Sequence, residues 1–566
     1  MSEPQVALED VAPILPVSSR DRPDAKTQRY DRQLRLWASS GQAALERASL
    51  VIGPATATSA QILKNLVLPG IGSFSLYDSQ SVSESDLGHN FFLEESSSGK
   101  NRAQEVSRLL AELNPDVKTN GIEDDLMSFV RQKVEGSEET TFHSSSIAIG
   151  VGLEDNDENE LAEKCWENNI PLILVQTCGF LGSIRVQVKE LGLIETHPDS
   201  YVDLRLDSPF PTLLEFVKSF DFQKLDTHEH THIPAVVIMI HFLELFKSTH
   251  DGKLPKTSAE REELKKMIQA EKRNADEDNF DEAVGMIWKA CRPTRVPDSI
   301  QSLFLDPCCT TLSPNSTPFW ILVRTLREFV HRKQNDGSLL LPLTGVLPDM
   351  KADTNSYVKL QTIYRQKAQQ DLLDFKNILK EILDQHSQII PSINHENFSD
   401  EVLHSFVKHS AFLKLIRGRS LAQERSGPEG LISLLTAESE PSAEQIPASW
   451  YLALRASALF RQKHHRYPGS IASEIKSDQT LMETIANEYL GSLGGLKLSE
   501  PGLPKTLIDA IGEVVRAGGS ELPQIAALIG GIVAQEAIKL ISHQYIPLSG
   551  TCIFDGIKSS TSILHL

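Results

Sequence analysis

Cysteine is scarce in this sequence. Six stand among 566 residues, at positions 165, 178, 291, 308, 309 and 552, and no two are spaced C-x-x-C. A structural zinc draws its thiolates from such pairs, and adjacent Cys308 and Cys309 are poorly placed to share one tetrahedral ion, so no metal site is expected. The opening MSEPQVALEDVAP has an acidic pair and no basic region before an apolar core. That predicts no secretory leader and a reducing compartment, the cytoplasm and nucleus. Long apolar runs are lacking too. Ile233 to Phe246 is too short to cross a bilayer, and Ile525 to Ile541 is interrupted by Gln535, Glu536 and Lys539. No membrane partner is expected. Basic charge is in deficit, with 56 Lys and Arg against 76 Asp and Glu. Duplex nucleic acid needs a basic stripe, so it is excluded as a partner, and the local spot Lys463 to Tyr467 is too short to argue otherwise. The net charge of −20 suits solubility or a basic protein partner.

What is present reads as α/β. Ser49 to Gly53 is a short buried strand, PATATS a turn of small residues, and Ala60 to Leu68 carries Ile62, Leu63, Leu66 and Val67 at helical spacing. A second strand, Ser73 to Tyr77, ends at Asp78. This β–turn–α–β unit opens a doubly wound sheet. A helix is predicted from Lys100 to Leu113, and strands at Ser146 to Val151 and Pro171 to Gln176 flank an acidic helical stretch. Charged helical segments then dominate: Ala259 to Asn274, Trp320 to Arg332, Tyr357 to His386 and Asp400 to Leu415. Loop text falls within 424–449. The α/β character returns with a helix at Ser520 to Ser542 and a strand at Cys552 to Asp555. The expected organisation is a flexible arm over 1–24, an α/β domain over 25–190, a mainly helical insertion over 191–505, and a C-terminal completion of the α/β domain over 506–566.

Glycine is missing where a nucleotide-binding unit needs it most. Phosphates approach backbone N–H groups after the first strand and rest on a helix N-terminus. Here the turn reads Gly53-Pro54-Ala55-Thr56-Ala57-Thr58. Only Gly53 remains, Pro54 supplies no N–H, and the other side chains narrow the approach. An ordinary tight β–α turn fits the same residues. In an active site the strand-end acid, Asp78, would bond ribose hydroxyls.

Several segments together resemble the ubiquitin-like-protein activating enzymes. They are RYDRQLRLW at 29–37, LKNLVLPGIGSF at 63–74 followed by Asp78, GKNRA at 99–103, LNPDV at 113–117, and ELPQIAALIGGIVAQEAIKLI at 521–541 followed by FDG. CGFLGSIRV, THIPAVV, TPFWILVRTLREFV and LPDMKADTNSYVKLQTIYRQKA resemble the regulatory branch of that family, which serves the attachment of a ubiquitin-like protein to cullins (neddylation). The resemblance covers residues 25 to 566. It implies a Rossmann-like adenylation fold of the ThiF type and a heterodimer with a catalytic subunit. That subunit would hold ATP, magnesium and the thiol, with a ubiquitin-like modifier and a conjugating enzyme as further partners. It implies no cofactor bound by this chain and no catalytic residue in it.

The carry-over is specific. Active members hold ATP with Asn, Arg and Gln in a loop that here reads Ser85-Asp86-Leu87-Gly88-His89-Asn90-Phe91, with His89 at the Arg place and Asn90 at the Gln place. Neutral imidazole does not clamp phosphate as a guanidinium does. Lys100 matches an active-site lysine, as a remnant or a surface charge. Arg32, the second Arg of R-Y-x-R-Q, is implied to cross to the partner's ATP phosphates; a structural ion pair with Asp31 or another acid is the alternative. Asp226, His228, His230 and His232 alternate as ligands on a strand would, without a further ligand cluster. The run Glu154 to Glu160 reads as a solvated face or a surface for a basic partner. Two other functions stand beside the regulatory one: a self-sufficient homodimeric adenylating enzyme, and a pure scaffold.

Overall fold

A computed structural model describes residues 23–132, 142–194, 202–332, 340–387, 398–426, 431, 435, 445–493 and 502–566. The expected N-terminal arm lies outside them up to residue 22, as does most of the loop text between 427 and 444. The chain forms two compact units. The first draws on the chain up to Lys189, Arg419–Ser542 and Pro547–Leu566; the second comprises Glu190–Gly418 and His543–Ile546.

Ten strands lie among the described residues: β1 (Ser49–Gly53), β2 (Ser73–Tyr77), β3 (Lys118–Ile122), β4 (Ile147–Val151), β5 (Leu172–Cys178), β6 (Leu181–Gln187), β7 (Leu191–Ile194), β8 (Leu413–Ile416), β9 (Thr551–Asp555) and β10 (Ser560–Leu564). The first unit holds an eight-stranded sheet in the order β10-β9-β6-β5-β4-β1-β2-β3. From β3 to β5 the pairing is parallel, and β6, β9 and β10 add antiparallel strands. Leu50, Val51 and Ile52 of β1 and all of Ile147–Val151 are buried, as strands covered on both faces require. The connections reverse between β1 and β4, so the carboxyl ends of these strands flank the crevice where doubly wound sheets bind ligands.

Among the described residues one helix, Pro523–Ser542, is long and apolar enough to cross a membrane. Its apolar residues are spent on the core instead: Ile525, Ile529, Val533, Ala537 and Leu540 are buried. It packs along Ala57–Val67, and Gly530 lets the two backbones meet. A Cβ there would lie 2.7 Å from the Cβ of Gln61.

The insertion ends earlier than the sequence suggested. The boundary expected at 505 falls at Gly418, because helices Gln445–His464 and Ile475–Ser492 belong to the sheet-bearing unit. Leu452, Phe460, Leu507, Ile511 and Val514 share one core with Leu181 of β6 and Ile553 of β9. Their charged outer faces resemble those of the insertion, which hid the return.

In the second unit, the 32-residue helix Thr354–Gln385 is a spine about 48 Å long. Leu360 and Tyr364 near its start join a core around helix Ala235–Thr249, and Phe375, Ile378 and Ile382 join another around helix Pro318–Arg332. Tyr364 is tied down by donating its hydroxyl to the carbonyl of Leu204 at 2.6 Å. The helix expected over Asp400 to Leu415 stops at Lys408, and Leu413–Ile416 is β8, paired antiparallel with β7.

Candidate functional site

The crevice at the carboxyl ends of β1 and β2 is the place to ask about nucleotide binding. Helix Ala57–Val67 starts there, with Thr56 as its N-cap. Helix starts leave backbone N–H groups unpaired, and these are what a phosphate would use. Here four of the N–H groups around the turn, those of Ala55, Thr56, Thr58 and Ser59, have internal acceptors. Ala55 N–H donates to Asp78 Oδ2 at 2.9 Å, Thr56 N–H to the Pro54 carbonyl at 3.0 Å, and Ser59 N–H to Thr56 Oγ1 at 3.3 Å. Thr58 N–H donates to Glu521 Oε2 at 3.1 Å. The second oxygen of Glu521 accepts the Thr177 hydroxyl at 2.8 Å. Glu521 is held there by backbone pairing beside Gly179, whose N–H donates to the Ser520 carbonyl at 2.8 Å. A carboxylate thus sits at the positive end of a helix, where its charge is stabilised.

Asp78 is equally occupied. It is buried, and its Oδ1 accepts Gln80 N–H at 2.8 Å. Its Oδ2 receives Arg102 Nη2 at 2.7 Å and Nε at 3.0 Å. The same guanidinium reaches Asp86 Oδ1 through Nη1 at 3.1 Å. Burial works against the Asp86 charge, but the Ser83 hydroxyl and N–H and the Arg102 charge hold its carboxyl below the usual range. Arg102 therefore stitches the end of β2 to helix Glu84–His89, which starts with a Ser83–Asp86 capping box.

The substituted clamp faces its own loop. His89 Nδ1 donates to the Ser85 carbonyl at 2.8 Å. Asn90 is buried, and its Oδ1 accepts Phe92 N–H at 3.0 Å. Lys100, singled out from the sequence, is exposed and lies 3.6 Å from Glu105. Arg102, two residues on in the same motif, is the cation that enters the crevice. These residues do not fit a nucleotide phosphate. The turn keeps only Gly53 and lacks the N–H of Pro54, the donors named above already have acceptors, and Asp78 carries an ion pair where a ribose would bind.

Arg32 lies apart from this crevice chemistry. It is exposed and makes no ion pair among the described residues; Asp31 pairs instead with Arg35 at 3.1 Å. The preceding Tyr30 is buried, and its hydroxyl accepts Asn114 Nδ2 at 2.8 Å.

The thiols are not tuned as nucleophiles. Burial pushes Cys178, Cys291 and Cys309 each up to about 11, and Cys165 higher still. Cys308 is exposed, yet partial desolvation and the neighbouring Glu190 and Asp306 raise it as well. A reactive cysteine needs the opposite environment.

His228 and His230 sit on a short helix, Thr227–Thr231, with His232 at its C-cap, rather than on a strand. Asp226 and Glu229 form its capping box, His228 and His232 stack on each other, and buried His230 bonds Glu277 at 2.7 Å. The acidic run is not all solvated either. On helix Asp155–Glu167, Asp157 and Glu160 point outward to Arg131. Asp155 and Glu158 point inward, where Arg425 and Arg455 pair with them. The spot at Lys463 to Tyr467 is also paired, Lys463 with Glu488 and Arg466 with Asp478.

Comparison with known proteins agrees with this frame. The model of the ThiF family matches residues 30–566. The chain belongs to the ThiF family. Within it, the chain is 36% identical over 556 residues to a chicken (Gallus gallus) protein named NEDD8-activating enzyme E1 regulatory subunit, covering 96% of this chain and 99% of the relative. A Xenopus laevis protein of the same name is 37% identical over 555 residues, covering 96% and 99%. The Arabidopsis thaliana relative named NEDD8-activating enzyme E1 regulatory subunit AXR1 is 34% identical over 541 residues, covering 95% and 96%. The similarity thus spans both units of this ThiF-family chain.

Proposed function

We propose that this chain is the regulatory, non-catalytic subunit of a heterodimeric enzyme that activates a NEDD8-type modifier for attachment to cullins. Full-length similarity to proteins of that name supports the pathway. The internal occupation of the phosphate turn by Glu521 and Asp78 is the observation that carries the division of labour. The catalytic subunit holds ATP and Mg²⁺, adenylates the modifier, takes it onto a cysteine as a thioester and passes it to a conjugating enzyme. This chain supplies the second ThiF-type frame of a pseudo-symmetric pair and helps bind the modifier in the cytoplasm and nucleus.

Arg32 is the group that reaches across. A guanidinium set against phosphates in a water-poor cleft stabilises the charge that shifts during adenylate formation. Its exposure, and its freedom from the Asp31–Arg35 pair, support that role. The Arg32→Ala heterodimer is expected to assemble normally and to exchange ATP with pyrophosphate at least tenfold more slowly at subsaturating ATP, the loss of one charge-assisted contact. Unchanged exchange at low ATP sinks the trans role and favours a pure scaffold.

A further inference from the structure

The turn that carries Arg32 carries a second exposed cation. Helix Asp31–Arg47 is broken at Trp37 and Ala38, where φ reaches 56°, so Asp31 to Leu36 form a separate short rod. Both ends of that rod are fixed in the core. Tyr30 is buried against Asn114, and Trp37 is buried with its indole N–H donated to Gln42 Oε1 at 3.1 Å. Between these anchors Arg32, Arg35 and Leu36 face solvent. Residues three apart on a helix share a face, with Cβ atoms about 5–6 Å apart, a spacing at which two guanidinium groups can meet neighbouring phosphates of one chain. The rod has a single acid, Asp31, and it holds Arg35 at 3.1 Å. The Arg35 side chain is 78% exposed and that of Asp31 52%, so water and salt weaken the pair and it is easily exchanged for a stronger anion.

We infer that Arg35 is a second cationic contact for the polyphosphate of the nucleotide held by the partner subunit, and that Asp31 holds it in reserve until the nucleotide arrives. The inference rests on the reading of Arg32 as a group acting in trans, because that reading sets this rod against the phosphates. Arg32 meets the phosphates unhindered, whereas Arg35 must first leave Asp31. Removing Asp31 therefore helps binding, and removing Arg35 harms it.

The test uses the assembled heterodimer with its catalytic subunit, ATP–pyrophosphate exchange over a range of ATP concentrations, and a separate measurement of subunit affinity. Arg35→Ala is expected to raise the KM for ATP about three- to tenfold, with kcat little changed and subunit affinity intact. Arg35→Lys falls between, because an ammonium keeps the charge without the planar fork. Asp31→Asn lowers the KM about twofold. If Arg32→Ala raises the KM while Arg35→Ala and Asp31→Asn leave it unchanged, the inference is overturned and the reading of Arg32 stands. If none of the three moves it, that reading falls too. Weakened subunit affinity in Arg35→Ala with an unchanged KM at full assembly also overturns the inference, since it makes Arg35 a protein contact.

Discussion

Thr58 donates its backbone N–H to the carboxylate of Glu521 at 3.1 Å, across 463 residues of sequence. The first turn of the first crossover helix and the segment leading into the last long helix are thus joined at the point where a ThiF-type site would take a phosphate. The chain's own carboxylate stands in for the anion.

That contact is a helix cap supplied from a distance. Glu521→Ala leaves Thr58 N–H without its acceptor and the Thr177 hydroxyl with only the Thr58 hydroxyl, at 3.0 Å. Loss of a cap is worth about 0.5–2 kcal/mol, and the lost charge at the helix N-terminus adds to it. Denaturant unfolding should show a lower midpoint with an unchanged slope. Glu521→Gln, which keeps an acceptor oxygen, should lose less.

The Asp78–Arg102 pair is buried, with side chains 3% and 14% exposed. Removing Arg102 strands the Asp78 carboxylate and is expected to destabilise by about 3–5 kcal/mol, whereas removing Asp78 leaves Arg102 its second partner, Asp86 at 3.1 Å. Arg102→Met should therefore be severe and Asp78→Asn milder, while the double variant should cost less than their sum. A double-mutant cycle by chemical denaturation measures this coupling. Simple additivity would mean that the two side chains act separately.

Asp478 gives a pH signature. Arg466 bonds both its oxygens, at 2.6 and 2.7 Å, and Gly469 N–H adds a third bond at 2.8 Å. Arg466 first, then the Gly469 bond, hold the carboxyl below its ordinary value against the effect of burial. A depressed carboxyl stabilises the fold above the unfolded pKa of about 3.9, and that contribution is lost as pH falls through the folded value. The stability gap between wild type and Asp478→Asn should be fully present at pH 7 and shrink below about pH 4.

Adjacent glycines in the last long helix separate packing from propensity. A Cβ at Gly530 meets Gln61 Cβ at 2.7 Å, whereas one at Gly531 finds only Asn65 Nδ2 at 3.9 Å. Gly530→Ala should destabilise by about 1–3 kcal/mol through overpacking. Gly531→Ala should be neutral or gain up to about 1 kcal/mol from helix propensity. Thermal unfolding of the two variants shows whether the helices are as close as they stand here.

The local elements of the first unit were legible because their signals are local. SLVIG and SFSLY are β1 and β2 with the bounds read from the sequence, each an apolar run closed by a turn signal. The degraded turn was legible from Pro54 and the alanines. What filled the crevice was not. No periodicity links Glu521 to Thr58, and within GKNRA nothing local distinguishes the cation that points outward, Lys100, from the one that turns inward, Arg102. Asp155 and Glu158 share a helix face by their spacing of three. Their burial depends on Arg425 and Arg455, which arrive from the far side of the second unit's sequence. The end of the insertion was hidden for the same reason, since a helix packed on a sheet and one packed on helices carry the same amphipathic pattern.

The proposed division of labour has this chain serve a nucleotide held by its partner subunit. Equilibrium ATP binding with Mg²⁺, counted per chain, tests it most directly. The isolated chain should show no binding at millimolar ATP, and the heterodimer with its catalytic subunit should bind one nucleotide. Saturable binding by the isolated chain, or two nucleotides per heterodimer, would contradict it.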